Sequence, residues 1–93
     1  MLLILRMLFR RSGDANRALS YLNQACEMVP DGDDTPFLVR SVCFNKLGQY
    51  GLADADADRS LKIVHNSVKG LINKAEAQYN MGRFEHAMKY FHR

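Results

Sequence analysis

The residues of this chain best suited to chemistry are three alternate aspartates, three histidines and two cysteines. The aspartates Asp54, Asp56 and Asp58 could offer oxygens to a hard cation. A calcium loop, however, also needs a turn glycine and a bidentate carboxylate at fixed spacing, and neither is present. On a helix Asp54 and Asp58 fall on one face and Asp56 on another, which predicts a solvated acidic helix face. The stretch Asp31-Gly32-Asp33-Asp34 reads as a turn and a helix N-terminus rather than a metal site. His65, His86 and His92 have no i,i+4 partner at metal-ligand spacing, and no Cys-x-x-Cys occurs, so no zinc site is predicted. A nucleophilic cysteine needs a base and an orienting group, which the sequence does not identify. Cys26 and Cys43 instead read as small hydrophobes on buried helical faces. There is no Gly-x-Ser-x-Gly elbow and no phosphate-cradling glycine loop. The expectation is a chain with no enzyme activity, no cofactor and no metal.

Composition excludes further classes. The 93 residues are 47% hydrophobic and 25% charged, as in an ordinary globular domain. Thirteen Lys and Arg against ten Asp and Glu give a net charge of +3, too mild and too scattered for nucleic acid. The aromatic residues Tyr50, Tyr79, Phe84, Tyr90 and Phe91 are not interleaved with basic ones, as a base-stacking surface would require. The opening Met1-Leu2-Leu3-Ile4-Leu5 is broken and followed by Arg6, Arg10 and Arg11, the wrong order for a signal peptide. It is also far short of the ~20 apolar residues that span a bilayer. It reads as a helix of the domain, so no membrane association is predicted. Two cysteines make no disulfide framework. A cytoplasmic, all-α protein follows.

The elements that would carry any function show themselves as a repeat. Gly13, Gly48 and Gly82 are spaced by 35 and then 34 residues. Ala18, Ala53 and Ala87 keep the same spacing, as do Ala15, Tyr50 and Phe84, and Leu22, Ala57 and Phe91. Each glycine falls between two apolar-periodic segments, where a tight turn needs a residue without a Cβ. The alanine five positions later lets one helix pass close to its neighbour, and the residue four further on fills the space between them. Pro30 stops a helix that it could not continue. Each unit is therefore two antiparallel helices, and stacking of units buries what one cannot bury alone. Helices are predicted at about 2–11, 14–28, 35–47, 50–64 and 68–81. A sixth starts near Arg83 and is still running at Arg93. Asp34 or Thr35 is the expected N-cap of the third, with Pro36 in its first turn.

This period and pattern resemble the tetratricopeptide repeat, whose unit is about 34 residues. The resemblance is carried by Leu47-Gly48-Gln49-Tyr50-Gly51-Leu52-Ala53 and by Tyr79-Asn80-Met81-Gly82-Arg83-Phe84-Glu85-His86-Ala87. Gly13 to Pro30 matches the second half of a unit, whereas Arg6 occupies a column that usually holds a small residue. The resemblance implies a right-handed α-solenoid of antiparallel helix pairs, about two and two-thirds repeats in one domain over 1–93. Its units would be about 1–32, 34–67 and 68–93, the last incomplete. The run Lys69-Gly70, Lys74-Ala75-Glu76, Tyr79-Asn80-Met81-Gly82 and Phe84-Glu85-His86-Ala87, ending Tyr90-Phe91-His92-Arg93, also resembles the repeat-containing subunits of outer dynein arm docking complexes. So do Arg40-Ser41, Cys43-Phe44, Lys46-Leu47-Gly48 and Asp54-Ala55-Asp56-Ala57. That likeness implies a non-catalytic adaptor with dynein-docking or axonemal protein partners, in the cytoskeleton of motile cilia.

The other reading within the repeat family is a chaperone-binding co-chaperone domain. Its lysines, arginines and asparagines grip the carboxylates of an acidic tail. Lys69 fits that pattern, but Asn73 stands where a second basic residue belongs, and Val39 and Ile4 where asparagines belong. The groove that the repeat implies would be lined by Leu38, Val42, Lys69, Ile72, Glu76 and Tyr79. Because Ala87 and Phe91 await a following helix, the open end is expected to self-associate or to continue in a longer scaffold.

Overall fold

The computed structural model describes residues 12–83. Within them lie four helices: α1 (Ser12–Glu27), α2 (Thr35–Lys46), α3 (Tyr50–Ile63) and α4 (Val68–Asn80). They match the second to fifth predicted helices to within two residues at either end. The predicted first and sixth helices lie outside the described residues, as do Arg6, Phe84, Ala87 and Phe91. Each helix packs on its neighbours in sequence, and α2 also packs on α4. That last contact is what stacking of successive units requires.

The chain turns where the backbone demands glycine. After α2 and α4 the chain passes through Gly48 and Gly82 at φ +78° and +81°. The Gln49 N–H donates to Phe44 O at 2.8 Å and the Gly48 N–H to Asn45 O at 3.2 Å. The Arg83 N–H to Gln78 O (2.9 Å) and the Gly82 N–H to Tyr79 O (3.0 Å) repeat the same pair. Both ends are thus Schellman caps, in which a left-handed residue lets the last carbonyls find donors. A Cβ at either glycine would meet nothing within 4 Å, so a side chain there suffers backbone strain and no crowding. Gly48→Val or Gly82→Val should cost about 1–3 kcal/mol, measured as a shift in the urea midpoint. A loss of only a few tenths would show that these turns tolerate a β-branched residue. Gly13 departs from the expected turn, because α1 starts at Ser12 and takes Gly13 into its first turn.

Capping of α2 falls on the expected residue, but not through its side chain. Asp34 is the N-cap residue, with Pro36 at the helix start, yet its side chain makes no capping bond. Its carboxylate instead accepts from the Ser60 hydroxyl on α3 at 2.7 Å. The preceding Asp33 takes the free N–H, accepting from Thr35 at 3.0 Å, and that bond holds its carboxyl below the usual range. At α4 the Ser67 hydroxyl accepts from the Gly70 N–H at 3.0 Å, an ordinary N-cap.

The core sits where the repeat columns place it. Ala15, Ala18, Leu22, Ala53 and Ala57 are fully buried, and Tyr50 is partly so. Ala15, Ala18 and Leu22 of α1 meet Val39 and Cys43 of α2. Phe44, Ala53 and Ala77 join α2, α3 and α4, with Tyr50 packed against them. Cys43 is buried as expected and its thiol donates to Ala15 O at 3.1 Å; burial pushes that thiol up to about 11. Cys26 is only half-buried.

The acidic residues of α3 are paired and only partly solvated, with Asp58 about half exposed. Asp56 is completely buried, and its carboxylate accepts from Arg40 Nε at 2.7 Å and Arg40 Nη2 at 2.8 Å. Arg59 Nη1 donates to the same carboxylate at 2.7 Å. Arg40 also reaches Asn23 of α1 at 3.1 Å and lies 5.9 Å from the ring centres of Phe37 and Phe44. Asp54 and Asp58 do share a face, but both grip Lys74 Nζ of α4 at 2.8 Å. The arrangement that looked like a hydrated helix face is a pair of ionic clasps joining α3 to α2 and to α4. Periodicity places a carboxylate on a face but does not say whether a cation on another helix faces it.

Candidate functional site

The groove between α2 and α4 is set by two amides on its floor. Asn73 Nδ2 donates to Leu38 O at 3.2 Å, and Asn45 Nδ2 donates to Asn73 O at 3.4 Å. These bonds hold two helices that are not sequence neighbours at a fixed separation. Above them is a cavity of about 310 Å³, lined by Thr35, Leu38, Val39 and Val42 of α2 and by Lys69, Ile72 and Asn73 of α4. Val39 and Asn73 are buried, Leu38 and Val42 half-buried, and Ile72 is 49% exposed. Four of the six residues expected from the sequence are therefore brought together: Leu38, Val42, Lys69 and Ile72. Glu76 and Tyr79 lie further along α4, exposed and outside the cavity wall.

Thr35 is the lining residue that sequence reasoning missed. Its signal was weak: a hydroxyl one turn ahead of Leu38 in the first turn of α2. In the sequence Val39 and Asn73 stand out only as departures from an anion clamp, whereas in the fold both are structural as well as lining. Val39 belongs to the core beneath the groove, and the Asn73 amide is committed to Leu38 O.

The electrostatics separate working charges from structural ones. For Lys74, burial pulls the ammonium down, but its bonds to Asp54 and Asp58 outweigh this and raise it on balance. Its bonds to Asp56 likewise hold the Arg40 guanidinium in its charged form, against a smaller opposing effect of burial. Both cations are thus used inside the stack. Lys69 and Glu76 are exposed, and neither makes an ion pair or hydrogen bond among the described residues. Chemically, the groove offers an apolar cleft with an ammonium at its edge and a carboxylate beyond it. Such a cleft can hold an apolar side chain next to an acidic group.

Left-handed glycine caps at equivalent positions, fully buried alanines 35 residues apart at Ala18 and Ala53 and side-by-side packing of α2 and α4 agree with one further finding. The tetratricopeptide repeat profile matches residues 68–93. The fold is an α-solenoid of tetratricopeptide repeats.

Curated relatives show where such repeats occur. The chain is 44% identical over 86 residues to outer dynein arm-docking complex subunit 4 of Danio rerio, covering 92% of this chain and 17% of that protein. It is 40% identical over 77 residues to the Xenopus laevis protein of the same name, covering 83% of this chain and 14% of that protein. A third relative, Protein SGT1 homolog of Bos taurus, is 35% identical over 79 residues, 84% of this chain and 23% of its own length. The chain thus spans under a fifth of the docking-complex relatives it matches. No helix among the described residues is long and apolar enough to cross a membrane. Tetratricopeptide repeats build extended concave surfaces for binding, and the chain is a protein-interaction scaffold of that kind.

Proposed function

We propose that this chain is the repeat portion of a non-catalytic adaptor that helps dock outer dynein arms in motile cilia. The reading is carried by its likeness, across most of its length, to outer dynein arm-docking complex subunit 4. On this reading the protein works in the cytoplasm and cytoskeleton, at the axoneme, with docking-complex or axonemal proteins as partners. The groove of Leu38, Val42, Lys69 and Ile72 is the docking surface, extended along α4 by Glu76 and Tyr79.

The co-chaperone alternative keeps two supporting features, Lys69 at the groove edge and the weaker likeness to Protein SGT1 homolog. A lone exposed ammonium contributes little to anion binding, and its clamp partners are replaced by Val39 and by an Asn73 amide already in use.

Affinity capture of the full-length protein from ciliated cells tests this reading. Dynein-docking proteins should be recovered, and Ile72→Asp should remove them while leaving the helical spectrum intact. In parallel, a fluorescent acidic chaperone-tail peptide should bind the chain no better than millimolar. Micromolar binding that disappears in Lys69→Ala, or capture of chaperones in place of docking proteins, would overturn the adaptor reading.

A further inference from the structure

We infer that the groove takes an extended segment of a partner protein in which one apolar side chain is flanked by an acidic residue on one side and a basic residue on the other. The acidic residue sits at Lys69 and the basic one at Glu76. This rests on the reading of the groove as a docking surface.

Three observations support it. First, the interior of the stack consumes its own charges: Lys74 is held by Asp54 and Asp58, and Asp56 is held by Arg40 and Arg59. Lys69 and Glu76, by contrast, stand exposed on α4 with no ionic partner among the described residues. They are opposite in sign and two helical turns apart, about 10.5 Å along the axis. Second, Ile72 lies between them on the same face, three residues from one and four from the other. It is 49% exposed at the wall of the cavity. An apolar side chain from a partner can enter beside Ile72 while its neighbours reach the two charges. Third, Asn73 commits its Nδ2 to Leu38 O and lines the cavity. Its Oδ1 remains an acceptor that no described residue bonds. An extended segment has main-chain N–H groups to give it, whereas a helix has used most of its own.

The spacing sets the pattern. An extended chain rises about 3.3 Å per residue, so the acidic and basic residues of the partner stand about three positions apart with the apolar anchor between them. A tail of acidic residues alone would place a carboxylate against Glu76, so the same pair of charges discriminates against it.

Fluorescence anisotropy on the 93-residue chain tests this with four labelled peptides. Two carry Asp-Leu-Gly-Lys in forward and reversed order, one carries Gln at both charged positions, and one carries Asp at both. One of the mixed-charge peptides should bind tightest, and Lys69→Glu or Glu76→Lys should each weaken it roughly two- to five-fold. In the double variant Lys69→Glu with Glu76→Lys, the preference should move to the peptide of opposite order. Both residues are exposed, so unchanged circular dichroism will confirm that each variant folds. Equal binding of the Gln peptide, lost in Ile72→Asp, would overturn the charge pattern while leaving the docking groove standing. Binding of no peptide, or binding indifferent to Ile72→Asp, would overturn the groove itself. Tightest binding of the all-acidic peptide would replace this pattern with an anion clamp.

Discussion

Asp56→Ala is expected to lower the stability of the stack by about 3 kcal/mol or more, because breaking a buried ion pair leaves the surviving charge uncompensated. The carboxylate is wholly buried and receives three charged donors, two from Arg40 and one from Arg59. Arg40 keeps a little contact with solvent, its side chain being 16% exposed, which places the loss toward the lower end of the usual ~3–5 kcal/mol for such pairs. Arg59 is half-exposed and bonds within its own helix, so Arg59→Ala should cost less than about 1 kcal/mol. Urea denaturation of both variants separates the two cases. Nearly equal small losses would mean that Asp56 is hydrated in solution, as its sequence context suggests. A double change, Arg40→Met with Asp56→Leu, should recover much of the stability. It removes both charges together and leaves none buried.

Leu22→Ala should be comparably damaging, at about 2–5 kcal/mol. Leu22 is the largest fully buried side chain of the described residues, and it anchors α1 against Val39 and Cys43 on α2. The buried side chains of its cluster are alanine, valine and cysteine, with Leu19, Val42 and Leu47 packed against them, so the site relaxes only in part around the lost atoms. The equivalent position one repeat later is Ala57, also fully buried. A larger side chain at a fully buried position forces overpacking, so that Ala57→Leu should be destabilising as well. A thermal melt in which Leu22→Ala loses under about 1 kcal/mol would show that α1 is not part of the cooperative unit.

The effect of these changes on function follows from the groove. Its two walls belong to α2 and α4, helices separated in sequence by all of α3. Their separation depends on Asn45 and Asn73 and on the two ionic clasps that seat α3 beneath them. A change that loosens Asp56 should therefore weaken partner binding without touching a lining residue.

Much of this could be read from residue spacing. Glycines 48 and 82, the alanine column and the breaks near Pro30 and Pro36 report local constraints. A left-handed backbone position or a close helix crossing permits few residue types, so the types themselves announce the geometry. Leu38, Val42, Lys69 and Ile72 were placed on one surface for the same reason, since helical spacing and the repeat register fix the face each occupies.

The tertiary structure alone decided which polar groups are structural. Arg40 and Asp56 are 16 residues apart, Lys74 and Asp54 are 20 apart, and Asn73 and Leu38 are 35 apart. No local pattern encodes such pairings. Gly70 belongs with them. A Cβ there would stand 3.0 Å from Ser60 Oγ and 3.2 Å from Leu61 Cδ2, so glycine eases the close approach of α3 to α4 and serves no turn. Sequence by itself determined the repeat, its turns and the faces of its helices, because those depend on backbone conformation and periodicity within a few residues. Which carboxylates meet cations, and which lysine has no ionic partner among the described residues, depended on how distant helices settle against one another, where burial and Coulomb attraction act between residues that the sequence does not bring together.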